Sequence, residues 1–327
     1  MAHSPCLAKE RIWCTNLNMK ALLLALAFVT STLPAQAAWR RVPTANMQYW
    51  LYTPEGRSEA PRGLMLNLHG CTQHAQDFKD RGNWEASANK YNFAVAIPDV
   101  PNGGVVLGCW DYYGKDQSPS NHHNRALIEF TEGLVKDKAL NIAPEKVYVA
   151  GLSSGAGQAL LLGCLRPDLF HGVGLVGSPA IGTGQNDIAW PNVSAEAVEN
   201  YCRVLSAGRS FVGQRTSIVH GDQDFIVNPK HSELITEALA AIYEIKDAEE
   251  INVAALPGTG TGGMGELYRD QSGAPRLSLI SAAGLGHAWP AGTGAGFAMK
   301  YINPNSLNYP AYLGAFFAEQ NSGGDSL

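Results

Sequence analysis

The sequence predicts an α/β fold with a mostly parallel central sheet flanked by helices. Short apolar runs rich in β-branched residues recur along the chain, which is typical of strands buried on both faces. Segments of helical periodicity lie between several of these runs, and such alternation favours parallel strands joined by right-handed crossovers. No linker of distinct composition interrupts the pattern, so we expect one domain over residues 38–327.

The elements follow in chain order. The predicted buried strands cover residues 63–68, 93–98, 146–150, 172–176, 216–220 and 277–281, and helical periodicity covers residues 121–138, 154–165 and 229–245. Residues 47–52 are expected to form an antiparallel edge strand. Two stretches break the alternation: residues 177–212 are polar and marked by Gly and Pro, and residues 257–275 are too glycine-rich for a packed element. Because ligands bind outside the carboxyl ends of strands in open α/β sheets, we expect these excursions to wall a site.

The composition is that of a globular protein, with 45% hydrophobic and 16% charged residues, which argues against disordered and fibrous classes. The formal net charge of −5 leaves no excess of positive charge to neutralise phosphates. Nucleic-acid binding therefore lacks its electrostatic basis.

The N-terminus resembles an export signal. Residues 21–29 are an apolar run preceded by Lys20 and followed by Ala35-Gln36-Ala37, the pattern of an h-region and its cleavage site. We expect residues 1–37 to be a signal peptide with a possible upstream extension; the alternative is a buried N-terminal helix. Because so short a run cannot span a bilayer, we expect no membrane anchor and an extracellular or periplasmic location.

Four cysteines remain after this segment: Cys71, Cys109, Cys164 and Cys202. An even number in an exported chain favours disulfides. Three connectivities are possible, and we favour Cys71 with Cys109 and Cys164 with Cys202 because the closed loops would have similar lengths. Four buried free thiols are the alternative.

A nucleophile motif follows the third buried strand. Gly151-Leu152-Ser153-Ser154-Gly155 is G-x-S-x-G between a predicted strand and a predicted helix, the context in which such a turn projects its serine. A structural Gly–Ser turn is the alternative. We expect Ser153 to act as the nucleophile.

A serine hydroxyl needs a base, and the base needs an orienting carboxylate. His287 lies in a Gly-rich loop that Pro290 closes, after the last predicted strand. Asp222 and Asp224 follow the strand at residues 216–220; we favour Asp224, which an apolar segment follows, and assign Asp222 to shaping the turn. The order Ser153, Asp224, His287 is that of an α/β-hydrolase.

Acyl transfer also needs donors for the oxyanion. The backbone N–H groups of Cys71 and Ser154 are the candidates, with His69 shaping the loop rather than acting as a base. Four loop aromatics either line an apolar substrate groove or pack in the core: Trp110, Tyr112, Tyr113 and Trp289. We interpret His122-His123 as a solvated helix start rather than a metal site.

At these residues the sequence resembles the poly(3-hydroxybutyrate) depolymerase family of esterases, which groups with the feruloyl and acetylxylan esterases. The resemblance is carried by Leu68-His69-Gly70-Cys71-Thr72-Gln73, Cys109-Trp110, Gly151 to Gly155, His220 to Val227 and Gly284 to Pro290. It implies a secreted serine esterase without cofactor or metal, with the triad and oxyanion donors named above. Its partner would be a polyester or a small-molecule ester.

The resemblance leaves the substrate open. Family members that act on solid polymer usually append a linker and a binding domain, whereas 37 residues follow Pro290 here. We therefore expect amorphous polymer, soluble 3-hydroxyalkanoate oligomers or a plant-wall ester as the substrate. The rival functions are a feruloyl or acetylxylan esterase, a peptidase, and a binding module that has lost catalysis.

Overall fold

A ten-stranded mixed sheet organises the fold. Its strands are β1 Ala38–Pro43, β2 Gln48–Thr53, β3 Arg62–Leu68, β4 Phe93–Pro98, β5 Ile142–Leu152, β6 Gly172–Val176, β7 Arg215–Gly221, β8 Ala248–Glu250, β9 Gly263–Arg269 and β10 Pro275–Ala282. This computed structural model describes residues 38–44, 47–54, 60–296, 298 and 300–318, and the predicted signal peptide lies outside them. No helix in the described ranges has the length and apolarity needed to cross a membrane.

The strand order is β1-β2-β4-β3-β5-β6-β7-β10-β9-β8. The six central strands from β4 to β10 are parallel, and β1, β2, β9 and β8 are antiparallel additions at the two edges. Every residue of β3, β4, β6 and β7 is buried, as expected for parallel strands covered on both faces. The parallel sheet predicted from the sequence is confirmed, with each of the six predicted strands at its expected place.

Helices cover both faces of this sheet. They are α1 Ala75–Arg81, α2 Glu85–Tyr91, α3 His122–Lys136, α4 Ser154–Leu165, α5 Ala195–Ser206, α6 Lys230–Tyr243 and α7 Tyr309–Ala318. One core cluster draws on α3, α4, α5 and α6, and the other draws on α1, α2 and α7. All of α4 is buried, which agrees with a helix that is apolar on every side.

The edges of the sheet differ from the sequence prediction in two places. β2 pairs antiparallel with β4 as predicted, but β1 covers its other side, so β2 is not the edge strand. The stretch 257–275, predicted to contain no packed element, includes β9, which pairs antiparallel with β10. The glycines there allow the pairing: a Cβ on Gly263 would lie 1.9 Å from the Ser281 carbonyl oxygen. The other excursion, 177–212, likewise contains the helix α5.

Two short strands lie past the end of the main sheet. β11 Trp289–Pro290 pairs in parallel with β12 Ile302–Asn303. The pairing folds the segment after His287 back on itself, and it places Tyr301 next to the His287 ring, with ring centroids 5.9 Å apart.

Candidate active site

Ser153 lies in the turn between β5 and α4. Its backbone has φ +57° and ψ −122°, a conformation that a non-glycine residue adopts only when the surrounding structure enforces it. The flanking glycines make the turn possible, since a Cβ on Gly151 would lie 2.4 Å from the Gly155 backbone, and one on Gly155 would lie 2.4 Å from the Leu68 carbonyl oxygen. The Ser153 N–H donates to the Val176 carbonyl at 2.9 Å, which fixes the turn to the neighbouring strand β6.

Asp224 and His287 are joined directly. His287 Nδ1 lies 2.7 Å from Asp224 Oδ2, and the two side chains are 6% and 1% exposed. The second oxygen of Asp224, Oδ1, accepts the backbone N–H groups of Ile226 and Val227, each at 2.9 Å. With Nδ1–H donating to a carboxylate held in this way, Nε2 is the ring nitrogen left to accept a proton.

Asp222 has a different task. Its Oδ1 accepts the Gly284 N–H at 2.7 Å, so this carboxylate ties the loop after β7 to the loop after β10. The apolar clamp expected beside Asp224 is wrong in detail, because Phe225 is 92% and Ile226 44% exposed. Asp224 is buried instead by its backbone donors and by the His287 loop.

A cavity of about 380 Å³ opens beside the Ser153 turn. Ser153, Ser154, Cys71 and His287 all line it, so the structure brings the predicted nucleophile, base and donor residues to one place. Its other walls are formed by Gly70, Thr72, Gln73, Val106, Leu107, Cys109, Tyr112, Tyr113, Leu152, Gln185, Ile188, Ile226, Val227 and Tyr301. We call this space the Ser153 cavity. Most of its walls are apolar or aromatic, so it suits an uncharged acyl group.

The loop that carries Cys71 is held by three kinds of contact. The Gly70 N–H donates to Gln73 Oε1 at 2.8 Å, and the Thr72 N–H donates to the Leu107 carbonyl at 2.8 Å. A disulfide joins Cys71 to Cys109, and a second joins Cys164 to Cys202. These are the two pairs favoured from the sequence.

His69 is fully buried at the end of β3. Its Nδ1–H donates to the Gly70 carbonyl at 2.8 Å, and its Nε2 accepts the Val100 N–H at 3.3 Å. Burial lowers the pKa of the His69 imidazole, so the neutral ring is the stable form. With both nitrogens engaged by backbone groups, this ring shapes the loop.

A family model described as Esterase PHB depolymerase matches residues 47–255. The chain belongs to this family. The poly(3-hydroxybutyrate) depolymerase of Ralstonia pickettii is 29% identical over 304 residues, which cover 88% of this chain and 61% of that protein. A probable acetylxylan esterase A of Aspergillus flavus is 26% identical over 74% of this chain and 80% of its own length.

A solved structure shares the fold. The acetyl xylan esterase from Aspergillus awamori superposes with a TM-score of 0.61 at 19% identity, over 76% of this chain and 94% of that one. Together with the parallel sheet and the Ser153 turn, this similarity makes the fold that of an α/β-hydrolase. The family is one of carboxylic ester hydrolases, and this chain spans less than two thirds of the length of its Ralstonia pickettii relative.

Two of the four loop aromatics considered as walls of a substrate groove lie elsewhere. Trp110 and Trp289 are both fully buried, so that prediction is wrong for them. Trp110 Nε1 donates to the His69 carbonyl at 2.9 Å, and Trp289 Nε1 donates to the Gly82 carbonyl at 3.2 Å. Tyr112 and Tyr113 do line the Ser153 cavity.

Several walls of the Ser153 cavity were not predicted from the sequence. Leu107 is 70% exposed and has φ +56°, and nothing in its local pattern distinguishes it from a core leucine. Gln185 and Ile188 lie in the excursion 177–212 that was expected to wall a site. Tyr301 follows the last predicted motif and carried no signal of its own.

His123 lies in the interior and not in a solvated helix start. His123 is 5% exposed and its Nδ1 accepts the Asp111 N–H at 2.9 Å, so this residue is not part of a solvated helix start. Asn121 caps α3 by accepting the N–H groups of His123 and Asn124.

Proposed function

We propose that this chain is an exported serine esterase that hydrolyses 3-hydroxyalkanoate esters through an acyl-enzyme. The observation that carries the proposal is the 2.7 Å contact between His287 and Asp224 at the wall of the cavity that Ser153 also lines. An oriented imidazole and a serine that line the same cavity form the arrangement that nucleophilic acyl transfer requires.

The proposed reaction has two halves. Ser153 Oγ attacks the ester carbonyl carbon while His287 Nε2 takes its proton and Asp224 stabilises the imidazolium. The N–H groups of Cys71 and Ser154 hold the oxyanion until the carbon–oxygen bond breaks, and His287 then protonates the departing alcohol. Water attacks the acyl-enzyme in the same way and releases the acid. Among the described residues, the Ser153 hydroxyl has no hydrogen-bond partner. Its hydrogen bond to His287 Nε2 is therefore part of the proposal.

Replacement of the nucleophile tests the mechanism. Ser153→Ala should lower kcat on 4-nitrophenyl acetate by about 10⁶-fold, in line with the loss of a triad nucleophile. Ser154→Ala is the matched comparison: it keeps the backbone N–H that the proposal uses and removes only the acceptor of the Trp110 N–H, so its loss of kcat should be far smaller. Retention of more than about one-hundredth of the activity by Ser153→Ala would show that another residue attacks.

The proposed substrate class rests on the family and on the Ser153 cavity. Uncharged walls such as Leu107, Ile188 and Ile226 suit the short aliphatic acyl group of a 3-hydroxyalkanoate. The second candidate is a carbohydrate esterase, because the relatives include proteins named acetylxylan esterase. Mass spectrometry of products from 3-hydroxybutyrate oligomers and amorphous polyester, beside methyl ferulate and acetylated xylan, separates the two. Turnover of the carbohydrate esters alone would overturn the first choice.

We further propose that residues 1–37 direct export and that residues 38–327 form one catalytic domain in the periplasm or the medium. Two disulfides support an oxidising location. N-terminal sequencing of the protein recovered from culture medium and periplasm tests this. A start at residue 38 is expected, and retention of the full chain in the cytoplasm would contradict it.

A further inference from the structure

A second and larger groove, of about 820 Å³, is also lined by His287. It shares His287, Ile226 and Tyr301 with the Ser153 cavity, so the two spaces meet at the proposed base. We call it the Lys300 groove, after the charged side chain in its wall. Neither the proposed nucleophile nor the proposed oxyanion donors line it.

This division assigns the two parts of an ester to the two spaces. The acyl carbon must lie beside Ser153 and the oxyanion donors, which places the acyl group in the Ser153 cavity. The leaving oxygen must lie within reach of His287, which protonates it. The Lys300 groove, which His287 lines and Ser153 does not, is therefore the place for the alcohol part.

The charged side chain in the wall of the Lys300 groove is positive. Among the described residues that line this groove, Lys300 is the only lysine or arginine, and none is an aspartate or glutamate. None of the ion pairs formed within the described ranges includes Lys300, so its ammonium is not neutralised there. Three side-chain amides share the wall: Gln223, Asn303 and Asn305. The groove offers a cation and amide donors, which suits an anion.

The backbone around Lys300 is tied to the active site. The Lys300 carbonyl accepts a hydrogen bond from Gln73 Nε2, and Gln73 also holds the loop of Cys71. The next carbonyl, that of Tyr301, accepts the Trp289 N–H at 2.8 Å. The lysine is thus carried by a segment fixed at both residues, and only its own side chain needs to be ordered when an anion binds.

We propose that the Lys300 groove is a leaving-group subsite for a hydroxy acid with a free carboxylate, which Lys300 binds. The inference rests on the proposed function and narrows its substrates to short, carboxylate-ended hydroxyalkanoate oligomers. In the first step the Ser153 Oγ–acyl bond forms, the ester carbon–oxygen bond breaks, and the proton from Ser153 passes through His287 to the hydroxyl oxygen of the released hydroxy acid. That product leaves from the groove with its carboxylate unchanged.

The first test measures carboxylate binding in the Lys300 groove and does not require polymer hydrolysis. 4-Nitrophenyl acetate hydrolysis is followed while 3-hydroxybutyrate or its neutral methyl ester is added as an inhibitor. We expect the acid to inhibit wild type at a lower concentration than the methyl ester, and Lys300→Met to raise its inhibition constant about threefold to tenfold, the range for a partly exposed charge contact. Equal inhibition by acid and ester, or an unchanged constant in Lys300→Met, would overturn the proposal.

The second test uses the oligomer itself. The 3-hydroxybutyrate dimer is compared with its methyl-capped form, with products identified by mass spectrometry. Lys300→Met should raise KM for the free acid several-fold and leave KM for cleavage of the internal ester of the capped dimer unchanged. Lys138→Met is the control, because it removes an exposed charge before the amino end of β5, whereas Ser153 follows the carboxyl end of that strand. Equal changes on both dimers would show that Lys300 only supports the loop.

The two tests separate this inference from the proposed function. A protein that hydrolyses carbohydrate esters but not the dimer disproves the proposed substrate, and the inhibition assay then still decides whether the groove binds a carboxylate. A protein that hydrolyses the dimer with no preference for the free acid keeps the proposed function and loses the subsite.

Discussion

The two disulfides close loops of equal length in very different surroundings. Both join cysteines 38 residues apart. Cys164 and Cys202 are each 1% exposed and link α4 to α5 inside a core cluster. Cys71 and Cys109 instead line the Ser153 cavity, where the bond joins the loop of the proposed oxyanion donor to the loop that carries Leu107.

The comparison separates two effects that a cross-link can have. In the chain-entropy account the stabilisation depends on the length of the closed loop, so equal loops give about the same term, about 4 kcal/mol for each bond. What differs is the position of the atoms that each bond holds in the folded state. We therefore expect similar contributions to stability and unequal contributions to catalysis.

The largest effect is expected from Cys71→Ser combined with Cys109→Ser. Serine keeps the Cys71 backbone N–H, so any loss of rate comes from the position of the donor and not from its removal. The loss of a whole oxyanion donor costs about 10²–10³ in kcat, which sets the upper end of the expected fall. Stopped-flow and steady-state assays on 4-nitrophenyl acetate measure it, and urea unfolding should show a loss of about 4 kcal/mol as well.

The hydrogen bond from the Gly70 N–H to Gln73 holds the same loop and remains in the double variant. If the bond to Cys109 positions the donor, kcat should fall while KM changes little, because the oxyanion contact forms only in the transition state. An unchanged kcat in the folded double variant would mean that hydrogen bonds alone hold the loop, and the contrast between the two disulfides would disappear.

The next effect is that of Cys164→Ala combined with Cys202→Ala. We expect the free energy of unfolding to fall by about 4 kcal/mol, with kcat and KM per folded molecule unchanged. Denaturant unfolding gives the first quantity, and assays well below the unfolding midpoint give the second. A fall in kcat as large as that of the other pair would show that α4, which follows Ser153 directly, transmits the change to the turn.

The sequence determined much of this comparison in advance. The cysteine pairing was favoured among three connectivities because its loops have similar lengths, and the structure confirms it. The Ser153 turn followed from a motif between a strand and a helix, which depends on residues close together in the chain. Asp224 was preferred over Asp222 because an apolar segment follows it, and the structure does not support that ground, since Phe225 and Ile226 are exposed. The parallel sheet was predictable because buried strands are continuous apolar runs.

Other features depend on contacts between distant parts of the chain and could not be predicted from the local sequence. Trp289 is buried because Phe78 and Trp84, more than 200 residues earlier, pack against it, with ring centroids 5.4 and 5.8 Å away. Residues 263–269 form a strand because they pair with β10, and β10 passes so close to Gly263 that a side chain would not fit there. Such contacts decide whether a loop aromatic faces a cavity or the core. They cannot be predicted from the local sequence.

The smallest expected effect concerns pH. Each disulfide region has a buried histidine nearby: His69 precedes the Cys71 loop, and His231 holds the segment that leads into α5, accepting the Ala180 N–H at 3.0 Å and donating to the Asp187 carbonyl at 2.9 Å. Burial lowers the pKa of both imidazoles below the usual 6.5. Below that pH the unfolded chain takes up protons that the folded protein resists, so stability is complete above about pH 6.5 and declines on acidification.

His231→Gln sharpens this prediction. The variant loses some stability at neutral pH because glutamine cannot reproduce both hydrogen bonds, but it also loses one group that protonates only on unfolding. Urea unfolding at about pH 7.5 and pH 5.0 should therefore show a smaller pH-dependent loss in the variant than in wild type, the shared carboxylates cancelling in the difference. Identical losses would mean that the His231 ring is protonated in the folded protein, in which case its hydrogen bond from Ala180 could not persist at acid pH.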